Sequence, residues 1–221
     1  MLIGGEDMTA VILSFFSVFV LLFLCFPFRA YMKCWVAKKL GDDTAESMGR
    51  YTLNPLVHID LMGALCMLLC CFGWSKPTPI NISRCRKYSI RKSAFLISLM
   101  GIVSLIFLGL ILIIIAKVLL VIFASSAAIE TVYLVSSALS QAALISVYIA
   151  VLNLLPVPGF DGYVLIQGIL PRNAAIFVEK NANIINLIVL VLLVSGILTV
   201  PLNILSSIIY LGLDLITFWI R

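Results

Sequence analysis

Asn153-Leu154-Leu155-Pro156-Val157-Pro158-Gly159-Phe160-Asp161-Gly162 closes an apolar segment that begins near Thr131, and the reading of this stretch decides what surrounds it. An ionisable residue at the end of a membrane-length apolar segment is costly unless it meets a partner or a water-lined site. Asp161 is therefore the first functional candidate. Pro156 and Pro158 end the preceding helix and predict an extended backbone, which Gly159 and Gly162 then turn. Asp is also a preferred helix N-cap. Asp161 thus either caps a helix that starts at Gly162 or belongs to a site at membrane depth.

Working outward, the 221 residues are 63% hydrophobic and only 11% charged, where soluble domains are about half apolar and a quarter charged. The chain reads as one all-α polytopic transmembrane domain over residues 1–221. Glu6 and Asp7 stand where a signal peptide would carry positive charge, so the first apolar run is expected to be retained as a span. The six cysteines, Cys25, Cys34, Cys66, Cys70, Cys71 and Cys85, lie in apolar segments or the basic loop after them and read as free thiols. The net charge of +5 is gathered beside apolar segments, which points to the lipid bilayer and not to nucleic acid.

Val11 to Phe28 is long enough to cross a hydrocarbon core, and its helical pattern continues through Lys38-Lys39 until Gly41-Asp42-Asp43 ends it. Thr44 to Asp60 is a polar connection with a turn signal at Asn54-Pro55. Leu61 to Trp74 is apolar but short, which predicts a re-entrant or interfacial element. Gly73 to Asn81, with Pro77 and Pro79, predicts a second extended piece, and Arg84, Arg86, Lys87, Arg91 and Lys92 form a basic loop that anchors against anionic lipid. Ala94–Ala124, Thr131–Leu155, Ile184–Val200 and Ile204–Ile220 are further apolar runs, each expected to cross in alternate directions. Lys117 reads as an interface anchor and Tyr163 as packing. Eleven of the fifteen basic residues fall between Arg29 and Lys92, which assigns that side to the cytoplasm. The tracing puts Asp161 on the same side as Arg29 and Lys33.

Leu40-Gly41-Asp42 and Met48-Gly49-Arg50, Leu53-Asn54-Pro55-Leu56-Val57-His58-Ile59-Asp60, Gly73-Trp74 to Asn81, and Asn153 to Gly162 occur in an order that resembles the site-2 protease family. These are intramembrane zinc metalloproteases, and the likeness is to the compact group without extra soluble domains. It implies a three-helix core, further spans, and a short extended element near the site. In the family a helix carries His-Glu-x-x-His, whose histidines bind zinc and whose glutamate activates water, and the aspartate of the proline motif completes the ligand set. That aspartate matches Asp161.

Aligning the family's Ala-Trp-Val-Ala on Cys34-Trp35-Val36-Ala37 puts the five motif positions on Arg29, Ala30, Tyr31, Met32 and Lys33. Neither Arg nor charged Lys offers zinc a lone pair, and alanine takes no proton. The family's Gly-Pro-x-x-Asn also departs, reading Gly101-Ile102-Val103-Ser104-Leu105 here. Arg29 and Lys33 share a helix face. They either pair with Asp161 where the metal's charge stood or snorkel to the interface beside Lys38 and Lys39.

These departures lead to the expectation of a non-catalytic relative with no bound zinc. It would hold a transmembrane client beside Trp74, Lys76, Pro77, Pro79 and Asn81, with Asn153, Pro156 and Pro158 contributing and strand addition supplying hydrogen bonds. His58 and Asn54 read as structural polar residues of the loop. One alternative is an active zinc protease with unusual ligands, for instance His58, Cys34 and Asp161. Another is a transporter on the same scaffold, although the spans carry few polar residues beyond Gln141 and Lys117.

Overall fold

The computed structural model describes residues 15–70, 73–125, 129–167 and 169–220. Glu6, Asp7, the start of the first apolar run at Val11, Cys71 and Arg221 lie outside them. The first helix, α1, runs Phe15–Leu40. Pro27 has no N–H to give back to the preceding turn, and directly before it Leu21–Cys25 widens into a π turn closed by the Phe26 N–H on the Leu21 carbonyl. Gly41, at φ 109°, takes the left-handed conformation that ends α1.

The polar connection folds into two short helices, α2 (Thr44–Ser47) and α3 (Pro55–His58). Asn54 caps α3 by accepting from the Leu56 amide at 3.1 Å, and Pro55 occupies the first helical position. Next, α4 (Leu61–Cys70) has ten residues, about 15 Å and too short to cross a bilayer. Its exposed Leu61, Met62 and Leu65 suit the interfacial role expected of it. The extended piece at 73–81 is present: Ser75 bridges Ile59 in antiparallel fashion, and the Lys76 amide donates to the His58 carbonyl at 2.9 Å.

The bundle is centred on α5 (Ile90–Ile122) and α6 (Ile129–Asn153), which pack antiparallel. Leu105, Ile113, Ala143, Val147 and Ala150 form the middle of the core. In lipid there is no hydrophobic drive between helices, so close approach and interhelical hydrogen bonds must hold them. Gly109 supplies the first, since a Cβ there would press on Val147. Ser146 and Ser136 supply the second, donating to the carbonyls of Leu105 (2.7 Å) and Ala116 (3.1 Å). After α6 come α7 (Asp161–Gln167), α8 (Arg172–Lys180), α9 (Ala182–Val194) and α10 (Thr199–Ile216). Among the described residues four helices, α1, α5, α6 and α10, are long and apolar enough to cross a membrane, and α8 with α9 form a pair bent by 69°. The protein is an all-α integral membrane protein.

Two expectations need correction. Pro156 and Pro158 do not impose an extended strand. Residues 154–160 form consecutive tight turns in which the amides of Leu154, Leu155, Val157 and Phe160 donate to the carbonyls of Val151, Leu152, Leu155 and Val157. A turn satisfies its own backbone, whereas a lone strand at that depth would need a neighbour. The last two apolar runs do not alternate in direction either. Lys117, near the C-terminal end of α5, pairs with Asp214 near the end of α10 at 2.8 Å, and Leu213 packs towards Gly109. Consequently α10 runs parallel to α5, and the chain between α6 and α10 returns to the end of the bundle where α6 finished.

Candidate functional site

The site forms where α1, α5, the end of α6 and the start of α7 meet. One helical turn separates Arg29 from Lys33 on α1, and both side chains point at the Asp161 carboxylate. Arg29 Nη2 donates to Oδ2 at 2.5 Å and Lys33 Nζ to Oδ1 at 2.6 Å. Arg29 Nη2 also donates to Asn153 Oδ1 at 2.8 Å, and Asn153 is itself oriented by its amide on the Ile149 carbonyl, also 2.8 Å. The Asp161 side chain is 4% exposed, with Arg29 at 16% and Lys33 at 14%. With both oxygens engaged by cations, Asp161 neither caps α7 nor faces water, and the cations do not snorkel.

Gly101 on α5 makes this packing possible. A Cβ there would lie 2.5 Å from Asp161 Oδ2 and 3.0 Å from Lys33 Cδ. Gly162 plays a similar part, because a side chain would run into the Leu154 carbonyl. Ala30, between the two cations in sequence, is buried, and Tyr31 turns away to stack on Tyr51 with ring centroids 5.0 Å apart. The cluster carries two positive charges against one negative. Arg29 Nε is buried without a partner.

A zinc ion needs lone pairs from at least three converging side chains. Arg29 and Lys33 have none to give, and they already hold both oxygens of Asp161. Among the described residues, no group of three His, Cys, Asp or Glu could hold a metal, so His58, Cys34 and Asp161 do not assemble the mixed set considered from the sequence. The residues present do not fit the metal.

His58 lies elsewhere, almost fully buried on α3, with Nε2 2.8 Å from the Thr52 carbonyl and Nδ1 without a partner. Burial pushes its pKa below the ordinary 6.5; the nearby Arg50 charge acts the same way and the Thr52 carbonyl opposes both. Trp74 is exposed at the head of the 73–81 piece, and Gly63 lets α4 lie against its carbonyl. The Pro77 carbonyl accepts from Arg50 Nη1 at 2.8 Å, and the Asn81 amide donates to Asp42 Oδ2 at 2.7 Å. Pro77 and Pro79 have no amide hydrogen, and those of Lys76 and Asn81 are occupied, which leaves few donors for an added strand. Pro156 is exposed and Pro158 half-buried.

The sequence reading quoted Asp42 in the stop that ends α1 and in the family patch but missed its tying role. It is buried and ties the end of α1 to the amides of Thr44 and Asn81; its position two residues before Thr44, in a turn-forming Asp-x-Thr, was the available signal. It also missed the use of Lys117, which fastens α5 to α10.

A curated protein of Bacillus subtilis (strain 168), described as "Putative zinc metalloprotease YwhC", is 35% identical over 158 residues, 69% of this chain and 68% of that protein. No family model matches the chain, and no solved structure does.

Proposed function

The chain belongs to the site-2 protease family, and from that premise we propose that it is a non-catalytic member, a pseudoprotease whose metal site has become an ion cluster. The observation that carries this reading is the Asp161 carboxylate held at 2.5 Å by Arg29 and 2.6 Å by Lys33. A metal-bound water needs an open coordination position and a base beside it. Here the remaining ligand position faces fixed cations, and the base position is Ala30. Both oxygens of Asp161 are satisfied by side chains of this chain, so in this reading the carboxylate is held without the metal. In this reading the protein retains the family's membrane architecture and binds a transmembrane client without cutting it, with the region of Trp74 to Asn81 as the contact. The basic end of the bundle, including the ion cluster, faces the cytoplasm.

Metal analysis of the purified chain tests the reading, together with a chelator-sensitive cleavage assay on transmembrane peptides. The expected result is substoichiometric zinc and no turnover. Stoichiometric zinc lost on Asp161→Ala, or cleavage abolished by chelator, would overturn it. The combined replacement Arg29→His, Ala30→Glu and Lys33→His is expected to bring zinc binding to the chain.

A further inference from the structure

A second feature lies at the start of α5, away from the ion cluster. A groove of about 690 Å³ runs between the first turns of α5 and the α7–α8 segment, with Ile90 and Phe95 on one wall and Val164, Leu165 and Leu170 on the other. Arg91 stands in the first wall. Arg91 belongs to a run, 84–92, that also holds Arg84, Arg86, Lys87 and Lys92 and no acidic residue. Arg84 pairs with Asp43 at 2.8 Å, and among the described residues the other four cations have no carboxylate partner. On the facing side Gln167, which lines the groove, donates to Glu179 at 2.9 Å. The apolar surface continues outward through exposed Ile169, Ile176 and Phe177, the pattern of a segment lying at the membrane interface.

A trough in which Arg91 and Gln167 stand among apolar side chains suits an occupant with both an apolar part and an anionic polar end. Free phosphate would leave the apolar walls unsatisfied, and an uncharged helix would leave the cations so. We propose that the groove binds an anionic phospholipid, with its phosphate at Arg91 and neighbouring cations and an acyl chain along the Phe95, Val164 and Leu165 walls. The proposal is independent of whether the ion cluster is catalytic.

Native mass spectrometry of the full chain in mild detergent, with added phosphatidylglycerol or phosphatidylcholine, tests it. Phosphatidylglycerol is expected to be retained in preference to phosphatidylcholine, and Arg91→Gln to lower its retention about fivefold, the effect of one cation near an anionic headgroup. Ala94→Trp, which fills the trough without changing charge, is expected to lower retention of both lipids. Lys39→Gln on α1 is expected to change neither, and millimolar inorganic phosphate to leave the adduct in place. Equal retention of the two lipids would overturn the proposal, as would unchanged retention in Arg91→Gln or an equal loss in Lys39→Gln, the mark of diffuse attraction. Displacement by free phosphate, or by a transmembrane peptide that crosslinks in the groove, would assign it to another occupant. Arg91 is exposed and its replacement leaves the fold intact, so that variant decides the matter if Ala94→Trp fails to fold.

Discussion

An ion triad and a single ion pair sit at opposite ends of the apolar bundle, and they differ in every respect that matters energetically. At one end Arg29 and Lys33 share the carboxylate of Asp161, all three side chains largely withdrawn from solvent. At the other, Lys117 meets Asp214 one to one at 2.8 Å, with side chains 22% and 46% exposed, and also donates to the Asp214 and Thr217 carbonyls at the end of α10. In sequence the two look alike, single charges in apolar runs. Burial and stoichiometry separate them. A desolvated pair is expensive to break because the partner is left unsatisfied, whereas a half-exposed one is close to neutral. The contrast shows how a charge in a membrane segment is either a structural keystone or a fastening, depending on what packs around it.

The largest expected effect comes from Asp161→Asn, which leaves two cations without a carboxylate. A loss of about 3–5 kcal/mol follows, measurable as the fall in unfolding free energy of the detergent-solubilised protein. Asp214→Asn is expected to cost no more than about 1 kcal/mol. Equal losses in the two variants would erase the distinction.

Gly101→Ala sharpens the comparison from the packing side. Its Cβ would press on Oδ2, and overpacking of a tight interior costs about 1–3 kcal/mol. In an Asp161→Ala background the same change is expected to cost less, because the clashing atom is gone; an additive double-mutant cycle would show that Gly101 serves something other than the carboxylate.

The smallest effect concerns pH. His58 has a depressed pKa in the folded state, so the unfolded chain binds the extra proton first. Its contribution to stability is present above the ordinary value of 6.5 and is lost as pH falls through the depressed folded value. His58→Gln is expected to flatten the stability profile in that acidic window, while the Lys117–Asp214 end stays unaffected. A profile unchanged by His58→Gln would remove the histidine from the account.

Much of this architecture was legible because lipid makes charge conspicuous. Arg29, Lys33 and Asp161 stand out in apolar context, and tracing the spans brings them to one end. The proline pair misled because a fixed φ near −65° serves a turn as well as a strand, and only the hydrogen bonds at 154–160 decide between them. The direction of α10 misled for a different reason. Counting each apolar run as a crossing ignores a 13-residue α9 that follows a sharp bend. Gly101 was quoted from the sequence only for the proline and asparagine that are missing after it; that it touches Asp161 is a fact of three dimensions. The donor character of Arg29 and Lys33 was legible from residue type alone, since a guanidinium has no lone pair to donate.

The π turn at Leu21–Cys25 carries one residue more than an ordinary helical turn would hold. Excising a single amino acid from an α-helix rotates everything beyond the cut by about 100° and would ordinarily swing Arg29 and Lys33 out of reach. Within this wide turn the shortened chain can instead relax to regular winding, keeping the azimuth of both cations. The stretch of α1 around Leu21–Cys25 therefore has a built-in tolerance for a one-residue deletion.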